Sequence, residues 1–345
     1  MHPKRSIKTP LLFLKMNIKT INSIYLLTSF FLLAACGNDQ PKKNTETVIN
    51  APPVAAYKLL SPAFNADSAY YFMQKQVDFG PRVTASDASK KCAKWIINQF
   101  KKYGATVIEQ NGTVTNWDKK KYSIINIIAQ TNPKAAKRIL ITAHWDSRPY
   151  ADNDPIEANK NKPVLAADDG ASGIGVMLEM ARLIQANNVN IGVDFMCFDA
   201  EDLGKPDFED SYCLGTQYWG QNQIPKNYKA EFAVNLDMVG GKGASFVWEN
   251  NSITQGESIL RKVWEKAAIL GYSNVFLYAQ NGQITDDHVY VHKYTKIPAI
   301  DIIHFNQQTG FPSWWHTVND NMNNIDLNTL KAVGQTLLEV IYTEK

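Results

Sequence analysis

Apolar positions fall into two kinds of stretch, which alternate along most of the chain. Over residues 88–103, Cys92, Trp95, Ile96, Gln99 and Phe100 share one side of a helix, and Gly104 stops it. Residues 172–186 repeat that spacing with Ile174, Met177, Leu178, Ala181 and Leu183. Residues 257–270, ended by Gly271, and residues 327–341 predict two more helices. Between these lie short apolar blocks that read as strands, at 105–110, 122–129, 138–143, 189–198, 230–236, 275–278 and 297–303. The block at 138–143 (RILITA) is nearly all apolar, as expected of a strand covered on both faces. Helices alternating with such strands predict an α/β fold. The expected architecture is a three-layer α/β/α sandwich around a central mixed, mostly parallel sheet. Sites in such sheets form at the carboxyl ends of strands.

The N-terminal pattern is different. Residues 22–35 form an apolar run preceded by Lys15 and Lys19, too short to span a bilayer comfortably at ~20 residues. A basic stretch, an apolar stretch and small residues make an export signal. Leu33-Ala34-Ala35-Cys36 resembles a bacterial lipobox, with Cys36 as the lipidated first mature residue and Met16 as a plausible start. Residues 1–35 therefore read as a lipoprotein signal peptide. Residues 36–63, polar and Pro-bearing, read as a lipidated N-terminus and tether. Residues 64–345 read as a single folded domain. Gly37 after the cysteine is the pattern of an outer-membrane address, so the expected setting is a periplasmic lipoprotein anchored to the membrane through Cys36.

Charge supports this division. Of 36 basic and 33 acidic residues, five basic and no acidic ones lie in 1–35, so the remainder is slightly acidic. That excludes the basic footprint of a nucleic-acid partner. Hydrophobic residues at 45% and charged residues at 20% allow a sizeable core. Cys36, Cys92, Cys197 and Cys213 match no cysteine-rich zinc pattern, and whether Cys197 and Cys213 pair is left open.

Polar clusters then fall just after strands or in loops. They are His144-Trp145-Asp146, Asp168-Asp169-Gly170-Ala171-Ser172-Gly173, Asp199-Ala200-Glu201-Asp202, Leu236-Asp237-Met238, Asp286-Asp287-His288 and Phe311-Pro312-Ser313-Trp314-Trp315-His316-Thr317. Each alone has a plainer reading. A helix start favours Asp and Ser anyway, and a Trp pair can simply be core. Together they suit a zinc site, which needs Asp, Glu and His converging from different elements with a position left open. Asp169, Asp202 and His316 provide one such set. A helix-borne HExxH is absent.

At these residues the chain resembles the co-catalytic zinc aminopeptidase superfamily, over roughly residues 66–343. Within it, Asp286-Asp287-His288, the Phe311–Thr317 run and Asp320-Asn321-Met322-Asn323-Asn324-Ile325-Asp326 are most similar to the glutaminyl-peptide cyclotransferase branch. The resemblance implies one zinc held by Asp169, Asp202 and His316, with Glu201 as general acid/base. It implies an acidic network of Asp237 with Asp286 or Asp287, favouring Asp286 as its member. It places Phe311 and Trp315 on the pocket wall, and Arg148, Tyr150 and Asp287 beside the substrate, a peptide with N-terminal Gln. Asp202 stands where animal-type cyclases have Glu, and Ala171-Ser172-Gly173 is peptidase-like. The alternative is a co-catalytic two-zinc aminopeptidase using His144, Asp169, Asp202, Asp237 and His316.

Overall fold

The computed structural model describes residues 57–208, 210–305 and 309–344. The export signal, Cys36 and most of the tether lie outside the described residues.

A six-stranded sheet forms the centre. Its strands are β1 (Thr106–Thr115), β2 (Lys121–Thr131), β3 (Arg138–His144), β4 (Gly192–Phe198), β5 (Phe232–Asp237) and β8 (Ala299–Ile303), in the order β1-β2-β4-β3-β5-β8. β4, β3, β5 and β8 run parallel, while β1 and β2 add antiparallel at one edge. A separate parallel pair joins β6 (Phe246–Glu249) to β7 (Phe276–Asn281). The fold is the expected sandwich of helices on both faces of a mixed, mostly parallel sheet.

Alternation along each strand divides the core in two. Ile139 and Ile141 of β3, with Val193 and Phe195 of β4, join the larger cluster. That cluster takes in α1 (Ala66–Val77), α2 (Asp87–Lys102), α3 (Ala171–Ala186), α5 (Asn250–Ile269) and α7 (Leu327–Thr343). Leu140, Met196 and Phe198 face the other way, towards α4 (Leu214–Gln221) and α6 (Asp287–Thr295). β4 is buried along its whole length, which is why its sequence is nearly continuous in apolar residues.

Several boundaries differ from the sequence reading. The body takes in Tyr57, whose hydroxyl donates to Glu339 at 2.7 Å, and Ser61, whose N–H donates to the same carboxylate at 2.9 Å. Among the described residues, packing therefore already involves Tyr57 and Ser61, ahead of Phe64. α5 begins at Asn250 rather than 257, because the Glu249 carboxylate caps the N–H groups of Asn251 and Ser252. Its first turns are separated from the rest at Gly256, where a Cβ would lie 2.8 Å from Ile300. Cys92, Cys197 and Cys213 are free and buried, so Cys197 and Cys213 do not pair.

Candidate metal centre and pocket

β3, β4 and β5 end side by side, and each delivers a polar residue to the same edge. His144 closes β3, and Glu201 and Asp202 follow β4. Asp237 closes β5, and Asp169 lies just before α3. Several of the turns that present these groups use left-handed backbone: Ala200 (φ 57°), Met238 (φ 48°) and His316 itself (φ 54°). Such conformations cost of order 1–3 kcal/mol each and persist where packing enforces them. Gly170 (φ 111°) makes the turn after Asp169, and a Cβ there would meet the Asp146 carbonyl at 2.5 Å.

Asp169, Asp202 and His316 converge. His316 Nε2 lies 3.4 Å from Asp169 Oδ2 and 3.3 Å from Asp202 Oδ1. All three are buried, and one ligand atom from each lies within 4.8 Å of the others. Asp202 Oδ2 is buried with no hydrogen-bond partner. Two facing carboxylates, one imidazole and an unpartnered buried oxygen fit a divalent cation of borderline softness such as zinc. A second group shares Asp169: His144 Nε2 is 3.0 Å from Asp169 Oδ1 and 3.3 Å from Asp237 Oδ1.

Outer residues fix this cluster. The Asp320 carboxylate accepts from the N–H groups of Asp168 (2.8 Å) and Asp169 (3.1 Å). Asp146 accepts from the N–H of Glu201 (3.0 Å) and of Asp202 (3.2 Å), and lies 3.4 Å from His144 Nδ1. Arg148 donates to Asp202 Oδ1 at 2.9 Å and grips Asp152 through two bonds of 2.7 and 2.6 Å. Asp152 in turn faces His316 Nδ1 at 3.7 Å. Partners of this kind orient metal ligands.

The electrostatics follow from burial and charge. Burial works against ionisation of Asp202, but His316 and Arg148 outweigh it and bring its carboxyl down to about 2. Burial raises Asp169, and the Asp202 charge adds to this. Glu201 is pushed well above the ordinary carboxyl range by burial, against the pull of His144 and with the carboxyls of Asp202, Asp286 and Asp287 adding to it. Burial opposes protonation of His144, yet Asp146, Asp169 and Asp237 hold it well above its ordinary value.

A cavity of about 290 Å³ opens onto this cluster, at the small end of ligand sites. Asp169, Glu201, Asp202, Asp237, Asp286 and His316 supply its polar surface. Its apolar wall is a run of aromatic rings. Phe305 meets Phe311 edge-on at 4.9 Å, Phe311 lies 4.3 Å from Trp315, and Trp315 stacks on His316 at 3.8 Å. Glu201, Cys213 and Asp286 place polar atoms within 4.8 Å of one another, and the Cys213 thiol is 3.4 Å from Glu201 Oε1.

Three residues assigned to the substrate stand elsewhere. Arg148 is buried behind Asp202 and does not line the cavity; its guanidinium donates to the Asp202 and Asp152 carboxylates and to the Asp202 and Gly204 carbonyls. Tyr150 lies outside it, 46% exposed. Asp287 turns away to accept from Thr216 Oγ1, while Asp286 stays on the wall. Conversely, Tyr212 and the segment 282–285 line the cavity and belong to none of the sequence clusters. They are ordinary residues in loops, and nothing in their spacing marks them. No motif in the sequence marks Asp152 or gives Asp320 a role either. Asp320 lies in the stretch used for the resemblance, but its two backbone partners are 151 and 152 residues away.

The family profile of peptidase family M28 matches residues 126–341. A solved Zn-dependent exopeptidase from Parabacteroides distasonis is 48% identical, with a TM-score of 0.80 over 82% of this chain and 99% of that one. The solved glutaminyl cyclase of Tannerella forsythia is 47% identical, with a TM-score of 0.81 over 82% of this chain and all of that one. The aminopeptidase YwaD of Bacillus subtilis is 29% identical over 63% of this chain, and the match spans only 44% of that protein's length.

Proposed function

The chain belongs to peptidase family M28, among bacterial glutaminyl cyclases of the same fold, and from that premise we propose that it is a zinc-dependent glutaminyl-peptide cyclotransferase. It converts the N-terminal glutamine of peptides or proteins to pyroglutamate and releases ammonia. The observation that carries this reading is the continuous aromatic wall beside the metal ligands. Trp315 stacked on His316 leaves a small cavity, suited to one N-terminal side chain.

One zinc would be held by Asp169, Asp202 and His316, with Asp202 Oδ2 supplying a buried oxygen that has no other partner. Zinc in that position supplies Lewis-acid polarisation of a carbonyl oxygen and stabilises the charge that develops on it. The remaining work belongs to the chain. Phe311 and Trp315 hold the glutamine side chain, and Asp237 and Asp286 orient the substrate's α-amine from the polar side of the cavity. Glu201 accepts a proton from that amine as the nitrogen attacks the side-chain amide carbon. The ring C–N bond forms, the bond to the amide nitrogen breaks, and Glu201 returns the proton to the departing ammonia. One carboxylate can serve both transfers because they are sequential. Ring closure is intramolecular, and positioning supplies much of the rate.

Glu201→Gln is expected to bind zinc as the wild type does and to lose on the order of 10²–10⁴-fold in cyclisation rate. A variant with wild-type turnover would remove Glu201 from this role. The second reading is a two-zinc aminopeptidase, and the His144, Asp169 and Asp237 group is the observation that favours it. Two metals per chain and release of free N-terminal residues would support it.

The setting proposed is an exported bacterial lipoprotein. Its domain would hang from lipidated Cys36 by a tether at the periplasmic outer membrane. The support for this is the sequence of the first 37 residues. Among the described residues, no helix is long and apolar enough to cross a membrane.

A further inference from the structure

A buried polar row crosses the sheet behind the cavity wall. Thr142 on β3, Asn235 on β5 and Asp301 on β8 are direct register partners, so they lie side by side on one face. All three are essentially inaccessible. Polar residues in the middle of parallel strands are costly unless hydrogen-bonded, and these are bonded in a definite order. Thr142 Oγ1 donates to Asn235 Oδ1 at 2.7 Å. Asn235 Nδ2 donates to Asp286 Oδ2 at 2.8 Å and to Asp301 Oδ1 at 3.2 Å. Asn235 thus has its oxygen and both amide hydrogens committed. Turning the amide over would set its oxygen against two carboxyl groups, so Asp286 and Asp301 fix which way it points, and the Thr142 hydroxyl completes the bonding of its oxygen.

The row continues into the wall itself. His288 Nε2 is 3.2 Å from Glu249 Oε1, and its Nδ1 lies 3.7 Å from Asp301 Oδ2. Glu249 Oε2 accepts from the N–H of Ile284 at 3.3 Å, and Asn251 Nδ2 donates to the Ile284 carbonyl at 2.6 Å. Ile284 and Asp286 both line the cavity. The wall segment is therefore tied to the sheet at Asp286 by Asn235, and to the start of α5 by Glu249 and Asn251.

We propose that Asn235 is a positioning residue for the reaction: its amide, anchored by Thr142 and Asp301, holds the Asp286 carboxyl in place on the cavity wall. A neutral amide suits this place. It donates to Asp286 and Asp301 at once and adds no charge to an already acidic interior. Asn235 does not reach the cavity, so it acts only through Asp286. This inference rests on the cyclotransferase reading and on Asp286 acting in it.

The test is a double-mutant cycle on ammonia release from a peptide with N-terminal Gln, using Asn235→Leu, Asp286→Asn and the double variant, with zinc content measured for each. Misplacement of a positioned group can cost on the order of 10²-fold in rate. Asn235→Leu and Asp286→Asn should each lose about this much with zinc content unchanged, and the double variant should be no slower than the worse single one. Thr142→Val, which removes the donor to the Asn235 oxygen without touching Asp286, should lose rate in the same direction but less. It also serves as the probe if Asn235→Leu does not fold. Losses that multiply in the double variant, or wild-type turnover in Asn235→Leu or in a folded Thr142→Val, would overturn the proposal. A wild-type protein that releases no ammonia would instead overturn the cyclotransferase reading, so the two failures are distinct.

Discussion

At position 202 the chain carries aspartate, and Arg148 reaches that side chain from behind at 2.9 Å while also gripping Asp152. Position 148 was read from sequence as a substrate contact, because its distance from Asp146 fits a family pattern. Spacing alone does not say which way a long side chain turns. Here it turns inward, to the carboxylates of Asp152 and Asp202. The His316 and Arg148 charges hold Asp202 at about 2, below its unfolded-state value, so the group contributes stability above the ordinary carboxyl range and loses it as pH falls through about 2. Arg148→Met should therefore destabilise the metal-free protein near neutral pH, by less than the roughly 3–5 kcal/mol of a fully unpaired buried charge, because His316 still faces Asp202. Urea unfolding should show the difference shrinking as pH approaches 2. A gap that stays constant with pH would contradict the coupling. The aromatic wall was more legible than Arg148, because Phe311, Trp315 and His316 are close in sequence and can meet within one loop.

At the scale of elements, the site is an assembly of turns at the ends of well-defined strands. β3, β4 and β5 were visible as apolar blocks because both faces of the sheet are covered, and burial dictates their composition. α1, α4, β6 and α6 were not assigned. α6 (DHVYVHKYT) is rich in β-branched and aromatic residues with weak helix propensity, and it forms because Asp286 caps it and because it packs on the sheet. α5 was cut short in the sequence reading because Gly256 interrupts its helical geometry and the cap at Glu249 lies before an unremarkable Asn pair. The turn at Gly170 makes an element-level prediction. Its φ of 111° and the nearby Asp146 carbonyl leave no room for a side chain. Gly170→Ala should lower stability by about 1–3 kcal/mol and weaken zinc binding, since Asp169 directly precedes it. Thermal unfolding and a zinc titration would check this, and wild-type values in both would mean that the turn does not set the ligand's position.

For the whole molecule, the sandwich brings residues from 144 to 320 to one edge of the sheet. Parallel strands put their carboxyl ends together, and the groups placed there share one cavity. That convergence was foreseeable from the order of strands and clusters. Which groups sit in front of the cavity and which sit behind it was not, because that depends on contacts between segments far apart in the chain. Asp320 holding the backbone at Asp168 and Asp169 is one example, and Asn235 between Asp286 and Asp301 is another. The central claim concerns what this cavity does to an N-terminal glutamine. Zinc-loaded protein incubated with a peptide carrying N-terminal Gln, with products read by mass, tests it most directly. The account predicts a peptide intact except for the loss of one ammonia. Free glutamine and a peptide shortened by one residue would contradict it and assign the site to a two-zinc aminopeptidase.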